Sequence, residues 1–173
     1  MISFFLKRYC LTGLLLCLLP LYGRAQFSGQ LEVLKGLSSQ SPGIYTGPSL
    51  VYHRRITRDI FPGISTGFLY SLADGRNRES FSVPLLFLAR YYIDGYRPQG
   101  GSEYLEMGSG VNLDYYEKEG EEDNEAVSSV ILNVGMTMGY QLPKSYDFGL
   151  RMGLLLRESQ PLYYLGLRLG HTL

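Results

Sequence analysis

The chain of 173 residues contains no tryptophan and two cysteines, and both cysteines, Cys10 and Cys17, fall in its first 25 residues. From Gln26 onward there is none, which excludes a disulfide framework, a cysteine-ligated metal site and a thiol nucleophile from that part of the chain. Histidine is almost as scarce, with only His53 and His171. Positive charge is not in excess either: residues 26–173 carry 13 basic and 16 acidic side chains, a net charge of −3, which argues against nucleic acid as a partner, since that needs a clustered positive surface. Past the amino terminus no stretch reaches the roughly 20 apolar residues of a membrane-spanning helix.

What is present begins with an address. Lys7 and Arg8 precede an apolar run from Tyr9 to Tyr22, and Gly23-Arg24-Ala25 follows with small residues at the −3 and −1 positions of a cut after Ala25. A positive start, a short apolar segment and such a cleavage site make a secretory signal. A membrane anchor is disfavoured because Pro20 interrupts the run. Lipid attachment at Cys17 is disfavoured because Leu16 precedes it, where that processing needs a small side chain. The expectation is a removed signal peptide over 1–25 and a single domain over 26–173 that begins with Gln26 or its cyclised form.

That domain is written in a period of two, the signature of strands whose side chains point alternately to opposite faces. In the last segment Tyr163, Leu165, Leu167, Leu169, His171 and Leu173 alternate with Tyr164, Gly166, Arg168, Gly170 and Thr172. Phe148, Leu150, Met152 and Leu154 alternate with Asp147, Gly149, Arg151 and Gly153, and Val134, Met136, Met138 and Tyr140 with Gly135, Thr137, Gly139 and Gln141. Leu105, Met107, Val111 and Leu113 alternate with Glu106, Gly108, Asn112 and Asp114. Weaker forms occur over Phe81–Tyr91, Ile64–Leu72, Ile44–His53 and Phe27–Lys35, where Leu31 and Val33 oppose Gln30 and Glu32. Gly-, Pro-, Asn-, Asp- and Ser-rich connections separate the segments. Eight strands over 148 residues allow about 18 residues per unit, enough for a membrane strand of about 9–11 and a connection.

A soluble barrel buries its apolar face, whereas a membrane barrel turns it to lipid and keeps polar or small residues inside. Here the minority face is rich in glycine and carries Glu32, Arg90, Glu106, Asp114, Arg151 and Arg168. Eight strands enclose an interior just wide enough for side chains, so these six are expected to form an ionic network that plugs the lumen rather than a conducting path. Tyr and Phe gather near segment ends, among them Phe27, Tyr52, Phe61, Tyr70, Phe81, Tyr92, Tyr104, Tyr115, Tyr140 and Tyr164, as the interfacial girdles of a membrane barrel would require. The fold class expected is all-β: an eight-stranded antiparallel up-and-down transmembrane barrel of the cell outer membrane. Leu165, Leu167, Leu169 and Leu173 would form the carboxyl-terminal strand read by the barrel-assembly machinery. A secreted, soluble lipocalin-like binding barrel is the all-β alternative.

Three segments carry a resemblance. SVPLLFLARYY (Ser82–Tyr92), EYLEMGSGVNLDYY (Glu103–Tyr116) and VGMTMGYQLPKSYDFGLRMGLLL (Val134–Leu156) resemble the PorT-like outer-membrane barrels of Bacteroidota-type bacteria, with their "PLL" strand, Tyr-Leu-x-x-Gly-x-Gly strand and Gly-Tyr strand end. More broadly the chain is similar to eight-stranded barrels of the OmpX and OmpA type. The resemblance implies fold and compartment. The partners expected of such a barrel are outer-membrane lipids and the barrel-assembly machinery.

Chemistry-bearing patterns are sparse. Glu117–Glu125 holds six acids in nine residues, but without calcium-loop spacing such a run is ordinarily a solvated loop. The Gly108–Gly110 pair lacks the helix and third glycine of a phosphate loop. His171 is the third residue from the carboxyl end and His53 lies near the same rim, away from where a hydrolase of outer-leaflet lipid would need its base. No catalytic residue, metal or cofactor is expected. A lipid-modifying outer-membrane enzyme is the alternative from another functional class.

Overall fold

The computed structural model describes residues 25–37, 43–72, 80–118, 125–143, 145–156 and 161–173. Residues 1–24 of the proposed signal segment and 119–124 of the acidic run lie outside them. The described chain folds into β1 (Ala25–Gly36), β2 (Ile44–Arg54), β3 (Ile60–Gly67), β4 (Leu69–Leu72), β5 (Ser80–Tyr92), β6 (Ser102–Lys118), β7 (Glu125–Gln141), β8 (Tyr146–Leu156) and β9 (Pro161–Thr172). β3 and β4 are two lengths of one stave. β2 pairs Ser49 with Gly67 and Thr46 with Tyr70, an unchanged register, and between them Phe68 N donates to Pro48 O at 2.9 Å. Nine segments therefore make eight staves.

Every stave pairs antiparallel with its neighbours in the chain, and β1 pairs with both β2 and β9. The sheet closes on itself and has no free edge along the paired lengths. Its stagger can be followed residue by residue. Gln26 lies opposite His53, then Gly63, Leu88, Gly108, Gly135, Gly153 and Tyr164, and Tyr164 lies opposite Gly36. One circuit thus returns to β1 ten residues further along. A rise of about 3.3 Å per residue against a strand spacing of about 4.8 Å converts that offset to a tilt of about 40°.

The two faces differ sharply. Phe87 and Val130 are each 70% exposed on the outer wall, and Leu167 and Leu169 are exposed on the same face of the sheet. Glu32, Arg90, Glu106, Asn112, Asn133, Arg151 and Arg168 are buried inside. In β2, Ile44, Pro48 and Leu50 face out, while Gly47, Ser49 and His53 face in.

The aromatics divide where position along the chain alone would place them together. Phe27–Tyr52, Phe68–Phe81–Tyr115, Tyr140–Phe148 and Tyr146–His171 form ring contacts that belong to the outer wall. Phe61, Tyr92, Tyr104 and Tyr164, expected in the girdles, are instead buried in the lumen. Parity overrides proximity to a strand end. Tyr92 and Tyr104 share the phase of Arg90 and Glu106, and Tyr164 that of Arg168, so a period of two must send them inward.

Two of these rings fill space that glycine leaves. Gly139 pairs with Gly149 and Gly135 with Gly153. A Cβ on Gly139 would come within 2.4 Å of the Tyr104 ring, and one on Gly153 within 2.3 Å of Tyr164 Oη and 2.6 Å of Val134 O. Tyr104 reaches across its glycine pair from β6 and Tyr164 across the other from β9.

Candidate functional site: the barrel lumen

Glu106 on β6 lies directly opposite Arg90 on β5. Arg90 Nε donates to Glu106 Oε2 at 2.8 Å, and Arg168 of β9 donates from a terminal guanidinium nitrogen to Oε1 at 2.7 Å. His53 Nε2, from β2, stands 3.1 Å from Oε2. One carboxylate thus ties together staves from opposite sides of the tube. Asp147 of β8 approaches Arg90 at 3.7 Å, so two arginines face two carboxylates. The Arg90 guanidinium also lies over the Tyr104 ring, 4.0 Å from its centroid. All these groups are buried, so the cost of removing the charges from water is offset only because each has an opposite partner within reach.

A second pair joins β8 to β1: Arg151 donates to Glu32 Oε1 at 2.8 Å. Beyond it a neutral chain crosses four staves. Tyr164 Oη donates to Asn133 Oδ1 (2.9 Å), Asn133 Nδ2 to Asn112 Oδ1 (2.8 Å) and Asn112 Nδ2 to Ser82 Oγ (2.9 Å), which in turn donates to Asp114. A cavity of about 30 Å³ lies against this chain, between Asn112, Asn133 and Tyr164 on one side and Leu34 and Leu155 on the other. That is the room of a single water molecule.

The end of the lumen at which β1 begins and β9 ends is stoppered by rings. Phe61 packs edge-on to Tyr92 and Tyr96, with centroids 5.0 and 5.3 Å apart. The connections on either side hold the stopper in place: Tyr92 N donates to Asp59 O at 2.8 Å and Tyr96 N to Arg58 O at 3.0 Å. Tyr92 Oη donates to Gln141 Oε1.

Of the six charged residues singled out in the sequence, Arg90, Glu106 and Arg168 meet in one cluster, Glu32 and Arg151 form a separate pair, and Asp114 belongs to the hydroxyl and amide chain. His53, Asp147 and the inward tyrosines lie in the lumen beside these six, and the parity of each along its strand is the sequence signal for it. Leu165, Leu167, Leu169 and Leu173 are all exposed on the outer wall. His171 is outside as well, its ring 4.6 Å from that of Tyr146, and the Ser82 hydroxyl bonds to Asp114 and Asn112. Among the described residues no group of His, Cys, Asp and Glu is arranged to hold a metal ion.

No family model and no curated protein matches the chain in sequence. Solved structures do match in fold. Neisserial surface protein A superposes with a TM-score of 0.62 at 15% identity, over 86% of this chain and 96% of that one. The N-terminal β-barrel domain of Pseudomonas aeruginosa OprF gives 0.60 at 11%, over 86% and 97%. The outer membrane enzyme PagL gives 0.53 at 14%, over 82% and 98%. At such identities what is shared is the eight-stranded closed barrel. The same scaffold serves a surface protein and an enzyme, so function has to be argued from the side chains.

Proposed function

We propose that this chain is an integral β-barrel protein of the bacterial outer membrane, with a closed lumen and a structural, adhesive or accessory role. The observation that carries the reading is the inversion of polarity. The wall exposes Leu, Val, Met and Phe, while the arginines and glutamates are sealed inside. A soluble barrel in water would have these reversed, whereas hydrocarbon requires this arrangement and tolerates no unpaired strand edge. Residues 1–25 serve as the export signal, and β9 with its outward leucines as the strand recognised in assembly. The start of β1 and the end of β9, with the connections 55–59 and 93–101, face the periplasm. The finer affiliation, PorT-like, is supported by the three segments that carry the resemblance.

The enzyme reading draws support from sharing its scaffold with PagL. Against it stand His53, tied into the lumen cluster, and His171, on the terminal rim, which leave no histidine base toward the outer leaflet. Release of acyl chains from lipid A by the purified barrel would reinstate it.

The membrane reading is tested by cell fractionation with a gel run on unboiled and boiled samples. The expected result is recovery in the outer-membrane fraction and a faster unboiled band, the mark of a barrel still closed in detergent. Recovery as a soluble periplasmic or secreted protein would replace this reading with the binding-barrel alternative.

A further inference from the structure

Met107, Met136, Met138 and Met152 are the only methionines after Met1. All four lie on the outer wall, on β6, β7 and β8, and none is in the lumen. They are neighbours. Met107 lies opposite Met136 and Met136 opposite Met152 across successive staves, and Met138 is the next outward position on β7. Met107, Met138 and Met152 are 61%, 55% and 38% exposed and Met136 is half-buried. Three of them edge a shallow groove of about 600 Å³ between Phe87, Ala89 and Val134. Aliphatic residues hold the flanking places: Leu105 and Leu150 beside Met138, Leu165 beside Met152. Hydrocarbon asks only for apolarity there, so what methionine adds over leucine is the reactivity of a thioether.

We propose that this patch is a sulfoxidation site, and that oxidation of the chain by a peroxide before insertion bars it from the membrane. The inference rests on the outer-membrane reading above. In the reaction the thioether sulfur attacks one peroxide oxygen, the O–O bond breaks, an S=O bond forms and water leaves; sulfur loses two electrons and the peroxide gains them. The sulfoxide is a strong acceptor, and on a lipid-facing wall it finds no donor, so each one carries an unmatched desolvation cost. Adjacency concentrates four such costs on three staves. Before insertion all four sulfurs stand in water with the unfolded chain, whereas afterwards they are covered by acyl chains. Oxidation therefore matters at the moment of assembly and not after it.

The test uses the full chain unfolded in urea, with and without hydrogen peroxide, diluted into dilauroylphosphatidylcholine vesicles. The folded fraction is read from the unboiled gel band, and peptide masses locate the added oxygens. With sulfoxide on Met107, Met136, Met138 and Met152 the folded fraction should fall at least about tenfold. The variant M107L/M136L/M138L/M152L should fold equally well with and without peroxide. A comparison that needs no variant is to add peroxide after insertion, when the folded band should persist. Full folding of the four-fold sulfoxide, equal loss by the leucine variant, or equal loss when peroxide follows insertion would each overturn the proposal. Failure of the untreated chain to fold into vesicles would overturn the membrane reading itself, and this inference with it.

Discussion

At the scale of single residues, Glu106 does the most. It accepts from Arg90 and Arg168 and stands beside His53, so its charge is what makes two buried guanidiniums tolerable. Removing one partner of a buried ionic cluster leaves uncompensated charge and costs about 3–5 kcal/mol. Glu106→Gln keeps the shape and a hydrogen-bond acceptor but loses the charge. It should lower the unfolding free energy by about 3 kcal/mol, read as a drop in the urea midpoint in detergent micelles. Glu32→Gln, which leaves a single arginine unpaired, should cost less. A Glu106→Gln midpoint equal to that of the unaltered chain would show that the cluster is held by packing rather than by its charge.

At the scale of the element, the staves depend on where side chains are missing. The Gly139–Gly149 and Gly135–Gly153 pairs let β7 and β8 lie flat under the rings of Tyr104 and Tyr164, and the ten-residue stagger decides which ring meets which pair. Gly153→Val would drive its Cβ into Tyr164 Oη on one side and the Val134 carbonyl on the other. The backbone oxygen cannot yield as a flexible side chain would. Overpacking of this kind costs about 1–3 kcal/mol, and displacing Tyr164 would also break its bond to Asn133. The variant should fold more slowly and less completely into vesicles, as measured by the unboiled gel band over time. Gly29, where a Cβ meets nothing within 4 Å, provides the control: Gly29→Ala should fold like the unaltered chain.

At the scale of the whole molecule, closure of the sheet and the proposed closure of the lumen have separate sources. The first comes from β1 pairing with β9. The second comes from the ionic clusters in the middle of the tube and the Phe61, Tyr92, Tyr96 and Tyr104 stopper at one end. With both in place, the purified protein in planar bilayers should show no steady porin-scale conductance. A stable open channel would mean that the stopper and the Arg90–Glu106–Arg168 bridge do not block the path. The double variant Phe61→Ala/Tyr96→Ala, which thins the stopper and leaves the salt bridges intact, should likewise stay closed, since the ionic bridge still spans the tube.

Much of this architecture is local and therefore legible in the chain. A strand turns alternate residues to opposite sides, so Leu165, Leu167 and Leu169 against Gly166, Arg168 and Gly170 already state that this stave separates an apolar medium from a polar one. The same parity places Glu32, Arg90, Glu106, Asp114, Arg151 and Arg168 on one side, and it also held the inward assignment of Tyr92, Tyr104 and Tyr164. What parity cannot express is height around a closed tube. The partner of a lumen side chain is set by the stagger between staves far apart in sequence, and that offset follows only once β1 meets β9. Hence Arg168 reaches Glu106 while Arg151 takes Glu32, Asp114 joins a chain of hydroxyl and amide groups, and His53 and Asp147 enter the central cluster. The periodicity determined the wall and its two faces; the tertiary structure decided which charges face one another across it, because pairing across a barrel is a property of its circumference and not of any one strand.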